Sequence, residues 1–217
     1  MVRHLKRLLA VALVLVACTP TPTQPRPNAD GIIIQDDFSN KNSGWDKHTS
    51  SDITTNYDNG QYLIAVETPN LDAWGLAGLD VNDAEIAVEV RYAAGPLDNS
   101  FGVLCRYTRS GNESNFYFIQ ISSDGYMRYG KVVKNRPQYL NAAGDFEPLA
   151  AIVQGESGLN QIQVMCQAQR ISFSVNGQSV GEFEDAELTH GDVGLLAGTL
   201  NTGGVKIHFD NVIVKQP

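Results

Sequence analysis

The sequence predicts an all-β domain over residues 31–217, a sandwich of two antiparallel sheets, on three observations. Apolar and polar residues alternate through most of it, the period of half-buried strands. Turn signals recur at close spacing between these runs, as in sandwiches and jelly rolls. The helical period is hard to find after residue 31.

Gln61–Val66 is the first clear strand, entered from the turn Asp58-Asn59-Gly60. Glu85–Val90 alternates polar and apolar residues almost without exception. Phe101–Tyr107, Asn115–Ile121 and Tyr126–Val133 follow, the last two joined by Ser123-Asp124-Gly125. Ile162–Ala168, Arg170–Val175, Gln178–Phe183, Val193–Ala197 and Val205–Val214 complete the set. Asn176-Gly177 marks a two-residue hairpin, because both central positions of that turn need positive φ. Residues 137–158 are the least regular; Ala142–Ala151 has room for one short helix, which Gly144 and Pro148 oppose.

Before this domain stand two segments of different character. Arg3, Lys6 and Arg7 precede an apolar run from Leu8 to Ala17. That run is about half of the ~20 residues a spanning helix needs, and it ends in small residues, as a secretory signal does. Leu15-Val16-Ala17-Cys18 resembles the lipobox of bacterial lipoproteins. The resemblance implies that residues 1–17 are a signal peptide and that Cys18 carries the lipid at the mature N-terminus. It also implies an exported protein of the bacterial cell envelope, held to the membrane and facing the periplasm or the exterior. Residues 18–30 then form a proline-rich stalk, extended at about 3.1 Å per residue.

Charge narrows the partners. The chain carries a formal charge of −8, and without Arg3, Lys6 and Arg7 it has 13 basic against 24 acidic residues. An acidic domain is ill suited to nucleic acid or to anionic headgroups, so the membrane is reached through the lipid. Cys105 and Cys166 lie on the apolar phase of two strands; in an oxidising compartment they are expected to form a disulfide.

The motifs Ser174-Val175-Asn176-Gly177, Gly191–Ala197 and Val205–Val212 resemble the concanavalin A-like jelly-roll superfamily. They are most similar to domains named after 3-keto-disaccharide hydrolases and to laminin-G-like modules. Asp36-Asp37-Phe38-Ser39, Gly44-Trp45 and Phe101-Gly102-Val103 fit the same pattern. The resemblance implies a jelly roll that binds glycans, hydrolyses them, or adheres to protein. It also implies a structural Ca²⁺ that ties the first strand to the last, at Asp37, the Gly60 carbonyl and Asp210.

Most retaining glycoside hydrolases need two carboxyl groups about 5 Å apart, one as nucleophile and one as acid. The nearest match to the Glu-x-Asp-x-x-Glu motif of related glycosidases is Glu182–Glu187, where Glu184 replaces the central Asp. It sits where a strand leaves for a polar loop, so it reads as a solvated acidic loop. His48, His190 and His208 read as surface or strand residues, and no Gly-x-Ser-x-Gly elbow occurs.

Sugar binding fits better. A pyranose lays its C–H face on an aromatic ring, and its hydroxyls bond to planar polar groups. Trp74, Arg106, Tyr117, Gln120, Tyr126 and Arg128 supply both types on neighbouring runs. Arg106 is expected opposite the Cys105 phase, on one polar face with Gln120 and Arg128. Trp45 reads as a structural plug beside the first strand. The favoured function is non-catalytic binding of a glycan or other extracellular polymer. The alternatives are a glycoside-active enzyme of the 3-keto-disaccharide hydrolase type and an adhesive protein-binding module.

Overall fold

A computed structural model of the protein describes residues 27–156 and 158–217. The signal segment, Cys18 and the stalk as far as residue 26 lie outside the described residues.

The described chain is built from strands. In order they are β1 (Ile32–Asp36), β2 (His48–Thr49), β3 (Ile53–Asp58), β4 (Gln61–Val66), β5 (Asp72–Leu76) and β6 (Ala84–Ala94). Next come β7 (Asn99–Ser110), β8 (Glu113–Ile121), β9 (Tyr126–Val133), β10 (Arg136–Tyr139) and β11 (Glu147–Pro148). The last are β12 (Leu159–Gln167), β13 (Arg170–Val175), β14 (Gln178–Glu184), β15 (Asp192–Thr199) and β16 (Val205–Lys215).

They form two antiparallel sheets. The nine-stranded sheet runs β14-β13-β12-β6-β16-β4-β3-β2, with β1 also paired to β16. The seven-stranded sheet runs β10-β9-β8-β7-β15-β5, with β11 also paired to β9. The alternation read from the sequence becomes the packing of the sandwich. Ile162, Val164 and Cys166 of β12 stand opposite Val88, Ile86 and Ala84 of β6, and all six are buried. The inner face of the smaller sheet meets them with Phe101, Val103, Ile119, Ile121 and Leu195.

Cys105 on β7 and Cys166 on β12 form the expected disulfide, with Cα atoms 6.8 Å apart. The bond therefore joins one sheet to the other through the core. Trp45 is the plug the sequence suggested: it packs with Phe38, Tyr57 and Tyr62, at ring centroids 5.6 Å apart from Phe38 and from Tyr62. The Trp45 amide donates to the Tyr57 hydroxyl at 3.0 Å.

At the β13–β14 hairpin Asn176 and Gly177 both have positive φ, 51° and 77°. Asn176 is held further, accepting from the Gln161 amide and donating to the Ala151 carbonyl and Asn160 Oδ1. No helix forms over Ala142–Ala151. Instead Glu147 and Pro148 pair with Met127 and Tyr126, and the Leu149 amide donates to the Gly125 carbonyl. Gly144 at φ 68° and Pro148, which lacks an N–H, explain the choice. The two ends of the domain meet: Ile32 pairs with Lys215, and the Gln216 amide donates to the Gly31 carbonyl at 2.9 Å.

Candidate functional site

An antiparallel sheet with one face in water usually reads polar on that face. The smaller sheet departs from this. On β8, Tyr117, Ile119 and Ile121 point into the core, yet Phe116 and Phe118, which alternate with them, are also buried, on the other side. Across the outer face they join Leu104 of β7 and Leu196 of β15. Trp74, Leu76, Tyr107, Val132 and Tyr139 pack around this floor. Trp74 lies 5.5 Å from Phe116 between ring centroids, and Phe118 lies 6.2 Å from Tyr139 edge to face.

One end of the floor is polar. Asp72 begins β5, at the sheet edge, and reaches across β15 above Gly198. A side chain at Gly198 would obstruct it: an added Cβ would sit 1.9 Å from Asp72 Oδ1. Gln120 Nε2 donates to Asp72 Oδ1 at 3.2 Å and to Ser100 Oγ at 3.3 Å. Arg128 Nε donates to Gln120 Oε1 at 2.7 Å. The Arg128 guanidinium lies 4.5 Å from the Tyr139 ring centroid and 4.1 Å from that of Phe146, and it also bonds Asp145 at 3.2 Å.

The result is a carboxylate–amide–guanidinium row whose geometry is held by its own hydrogen bonds and by two aromatic rings. Crowding by protein raises the Asp72 carboxyl above its usual range, while Arg128, Ser100 and Gln120 pull it back. Asp72, Gln120 and Arg128, with Trp74, Phe116, Phe118 and Asn135, line a cleft of about 540 Å³, part of it open to solvent.

Of the residues singled out from the sequence, the structure brings Trp74, Gln120 and Arg128 together in this cleft. Tyr126 lies on the same face, 41% exposed, but beside a neighbouring depression. Arg106 is elsewhere. The expectation of a shared face assumed unbroken alternation along β7. Arg106 instead has φ 54°, and the register with β8 shifts between Cys105 and Thr108. Such a bulge re-aims a side chain. Arg106 is turned to the end of the sandwich, 2% exposed, where it donates to the carbonyls of Asn82 and Leu188 and pairs with Asp83 at 3.2 Å.

Tyr117 is also absent from the cleft, because it falls on the inward phase of β8. Its hydroxyl donates to Asp185 at 2.7 Å and accepts from the Leu188 amide, and burial pushes its pKa up to about 12. The acidic run is engaged in ion pairs: Glu182 with Arg170, and Asp185 and Glu187 with Lys131.

The residues suggested for a metal come from neighbouring strands. Asp37 follows Asp36, which pairs with Val212, and Asp210 Oδ2 accepts weakly from Gln61 Nε2 at 3.4 Å, next to Gly60. Asp37 Oδ1 accepts from the Ser39 amide and hydroxyl, and Asp210 Oδ1 from the Asn211 amide. Among the described residues no group of three or more His, Cys, Asp or Glu is set to hold a metal.

Asp72, Phe116, Phe118, Tyr139 and Phe146 were not foreseen as site residues. Phe116 and Phe118 carried a readable signal, since apolar residues on both phases of β8 mean that both faces of the sheet are covered or used.

No family model matches the sequence, and no curated protein sequence matches it. Solved structures do resemble the fold. The carbohydrate-binding module CBM66 from Bacillus subtilis superposes with a TM-score of 0.62 at 12% identity, over 80% of this chain and 96% of that one. A β-glucanase from Bacillus licheniformis gives 0.62 at 13% identity, over 88% and 100%. A Bacillus subtilis protein of unknown function with a galectin-like fold gives 0.65 at 9% identity, over 86% and 96%. Two antiparallel sheets in this order, superposing over most of each chain on such sandwiches, give the domain the concanavalin A-like jelly-roll fold.

Proposed function

We propose that the domain binds a glycan, without catalysis, in the cleft on the outer face of the smaller sheet. The observation that carries this reading is the meeting of an aromatic floor with a fixed polar row. Trp74, packed on the buried Phe116 and Phe118, offers surface to the C–H face of a sugar, while Asp72, Arg128 and Asn135 offer partners to its hydroxyls. Gln120 holds Asp72 and Arg128 in position before any ligand arrives, which lowers the ordering cost of binding. The fold is shared with a carbohydrate-binding module and with a β-glucanase, so fold alone does not choose between them. The cleft lining favours binding: among the described residues it has one carboxylate, Asp72, where two-carboxylate hydrolysis needs a pair, about 5 Å apart in retaining enzymes and about 6.5–9.5 Å in inverting ones.

The test is a glycan array probed with the purified protein. Selective binding that is lost in Trp74→Ala and Asp72→Ala, with circular dichroism unchanged, supports the reading. An array without binding rejects it, and release of reducing ends from a bound glycan would replace it with the enzyme.

The same reading includes attachment by a lipid on Cys18, which would hold the binding domain at the cell envelope. Labelling with an alkyne fatty acid should mark the wild-type protein and not Cys18→Ala. It also includes a structural Ca²⁺ held by Asp37, the Gly60 carbonyl and Asp210. Those oxygens are short of the six to eight that Ca²⁺ takes, so other carbonyls and water must complete the shell. A melting temperature unchanged between chelator and millimolar Ca²⁺ would remove the ion from the proposal.

A further inference from the structure

The outer face does not end at Arg128. Tyr126 is two residues away on β9 and so projects from the same face. Its ring borders a second depression, enclosing about 770 Å³ with part open to solvent, together with Asp98, Ser122, Asp124 and Phe146. Phe146 is the wall between the two. It lies against the Arg128 guanidinium, which lines the first cleft, and itself lines the second.

The strand register makes the two depressions successive steps of one track. Phe116 stands opposite Val132, Phe118 opposite Gly130, and Gln120 opposite Arg128. The Ser122 amide then donates to the Tyr126 carbonyl at 2.8 Å, continuing the ladder past the end of β8. From Phe116 to Ser122 the track is about 20 Å long at ~3.3 Å per residue, longer than one sugar. Its polar character changes along the way. The second depression is lined by two carboxylates, Asp98 and Asp124, and by no lysine or arginine among the described residues. Carboxylates accept sugar hydroxyls and repel uronate or sulfate groups.

We infer that the second depression is a further sugar subsite, with Tyr126 as its stacking platform, and that the ligand is a chain of neutral sugars lying along β8 and β9. This rests on the glycan-binding reading of the first cleft. The bound chain crosses the Arg128–Phe146 wall, so that Trp74 and Tyr126 contact different sugars of one molecule. A short ligand engages only the Trp74 end.

Calorimetry with defined oligosaccharides tests this. The probes are mono- to hexasaccharide ladders of neutral glucan, mannan, xylan and fructan, with an oligogalacturonate ladder as the acidic control. For at least one neutral ladder, affinity should rise with length in the wild type. Tyr126→Ala should lower affinity for the longest member about five- to tenfold, the scale of one aromatic contact, and leave the shortest binding member unchanged. Tyr126→Phe should keep the long-chain affinity, and Trp74→Ala should weaken every member. Affinity independent of length, or an equal Tyr126→Ala loss along the ladder, overturns the second subsite and leaves the first cleft standing. Preference for the oligogalacturonates overturns the neutral-chain assignment. No binding to any ladder overturns this inference, while the wider glycan array decides the first cleft separately.

Discussion

Replacing both cysteines of the Cys105–Cys166 bridge by alanine tests how the two sheets are held together. The residues are 61 apart in sequence, and the bond closes that length of chain into a ring in the unfolded state. In the chain-entropy treatment this removes about 14 cal/mol/K from the unfolded ensemble, or about 4 kcal/mol at 25 °C. Both side chains are 1% exposed, so the substitutions also leave small voids in the core. For a domain of this size each kcal/mol moves the melting temperature by about 2–4 °C, so the expected drop is about 8–16 °C. Urea unfolding of oxidised wild type, reduced wild type and Cys105→Ala/Cys166→Ala separates the contributions. The last two should unfold at similar urea concentrations, both well below the oxidised protein. A double variant within 1 kcal/mol of the oxidised protein would refute the entropic argument. Alkylation of both thiols in unfolded, unreduced protein would refute the bond itself.

Three further outcomes follow from the geometry. Arg106→Ala should destabilise the fold by about 2–3 kcal/mol, since it removes a buried guanidinium together with its hydrogen bonds to the Asn82 and Leu188 carbonyls and its ion pair with Asp83; glycan affinity of the folded protein should be unchanged, and a selective loss of binding would return Arg106 to the site. Gly198→Ala should displace the Asp72 carboxylate and lower glycan affinity at least tenfold with a small shift in melting temperature; unchanged affinity would show that Asp72 is not needed in its present position. Asp192 accepts from the amides of Gly78, Leu79 and Val193, yet crowding by protein, with a smaller push from Asp46, raises its carboxyl from 3.8 to about 6. The folded state then holds this proton more tightly than the unfolded one, so its stabilising effect is complete below about pH 4 and is lost as pH rises to about 6. Urea midpoints across that range should fall less steeply in Asp192→Asn, and parallel curves would refute the assignment.

The strands with β-branched or aromatic residues on the inner phase are legible in the sequence. Gln61–Val66, Tyr126–Val133 and Arg170–Val175 coincide with β4, β9 and β13. β5 was not legible, and with it went Asp72. Its inward residues are Ala73 and Gly75, which carry no strand signal. Gly75 is required because the Tyr62 ring fills the space: an added Cβ would lie 1.9 Å from the Tyr62 hydroxyl. That ring belongs to a strand in the other sheet, so nothing local announces it. Arg106 failed for a different reason, since period-two reasoning carries no information across a bulge. Gln120 and Arg128 do share a face, because they stand directly opposite each other in an unbroken ladder. The Tyr139 and Phe146 rings that enclose Arg128 come from the irregular stretch after β9, where pattern gives no register.

The pairing of Ile32 with Lys215 brings the first and last strands side by side, and it makes the order of the strands along the chain dispensable. A short linker from Pro217 to Asn28 would close the backbone without moving either strand, and new termini could open at the exposed tip between β7 and β8, near Gly111. Such a circular permutant would keep the strands that build the cleft while moving the chain ends to another part of the molecule. It would also allow the domain to be inserted whole into a surface loop of another protein, since both of its junctions leave from one place.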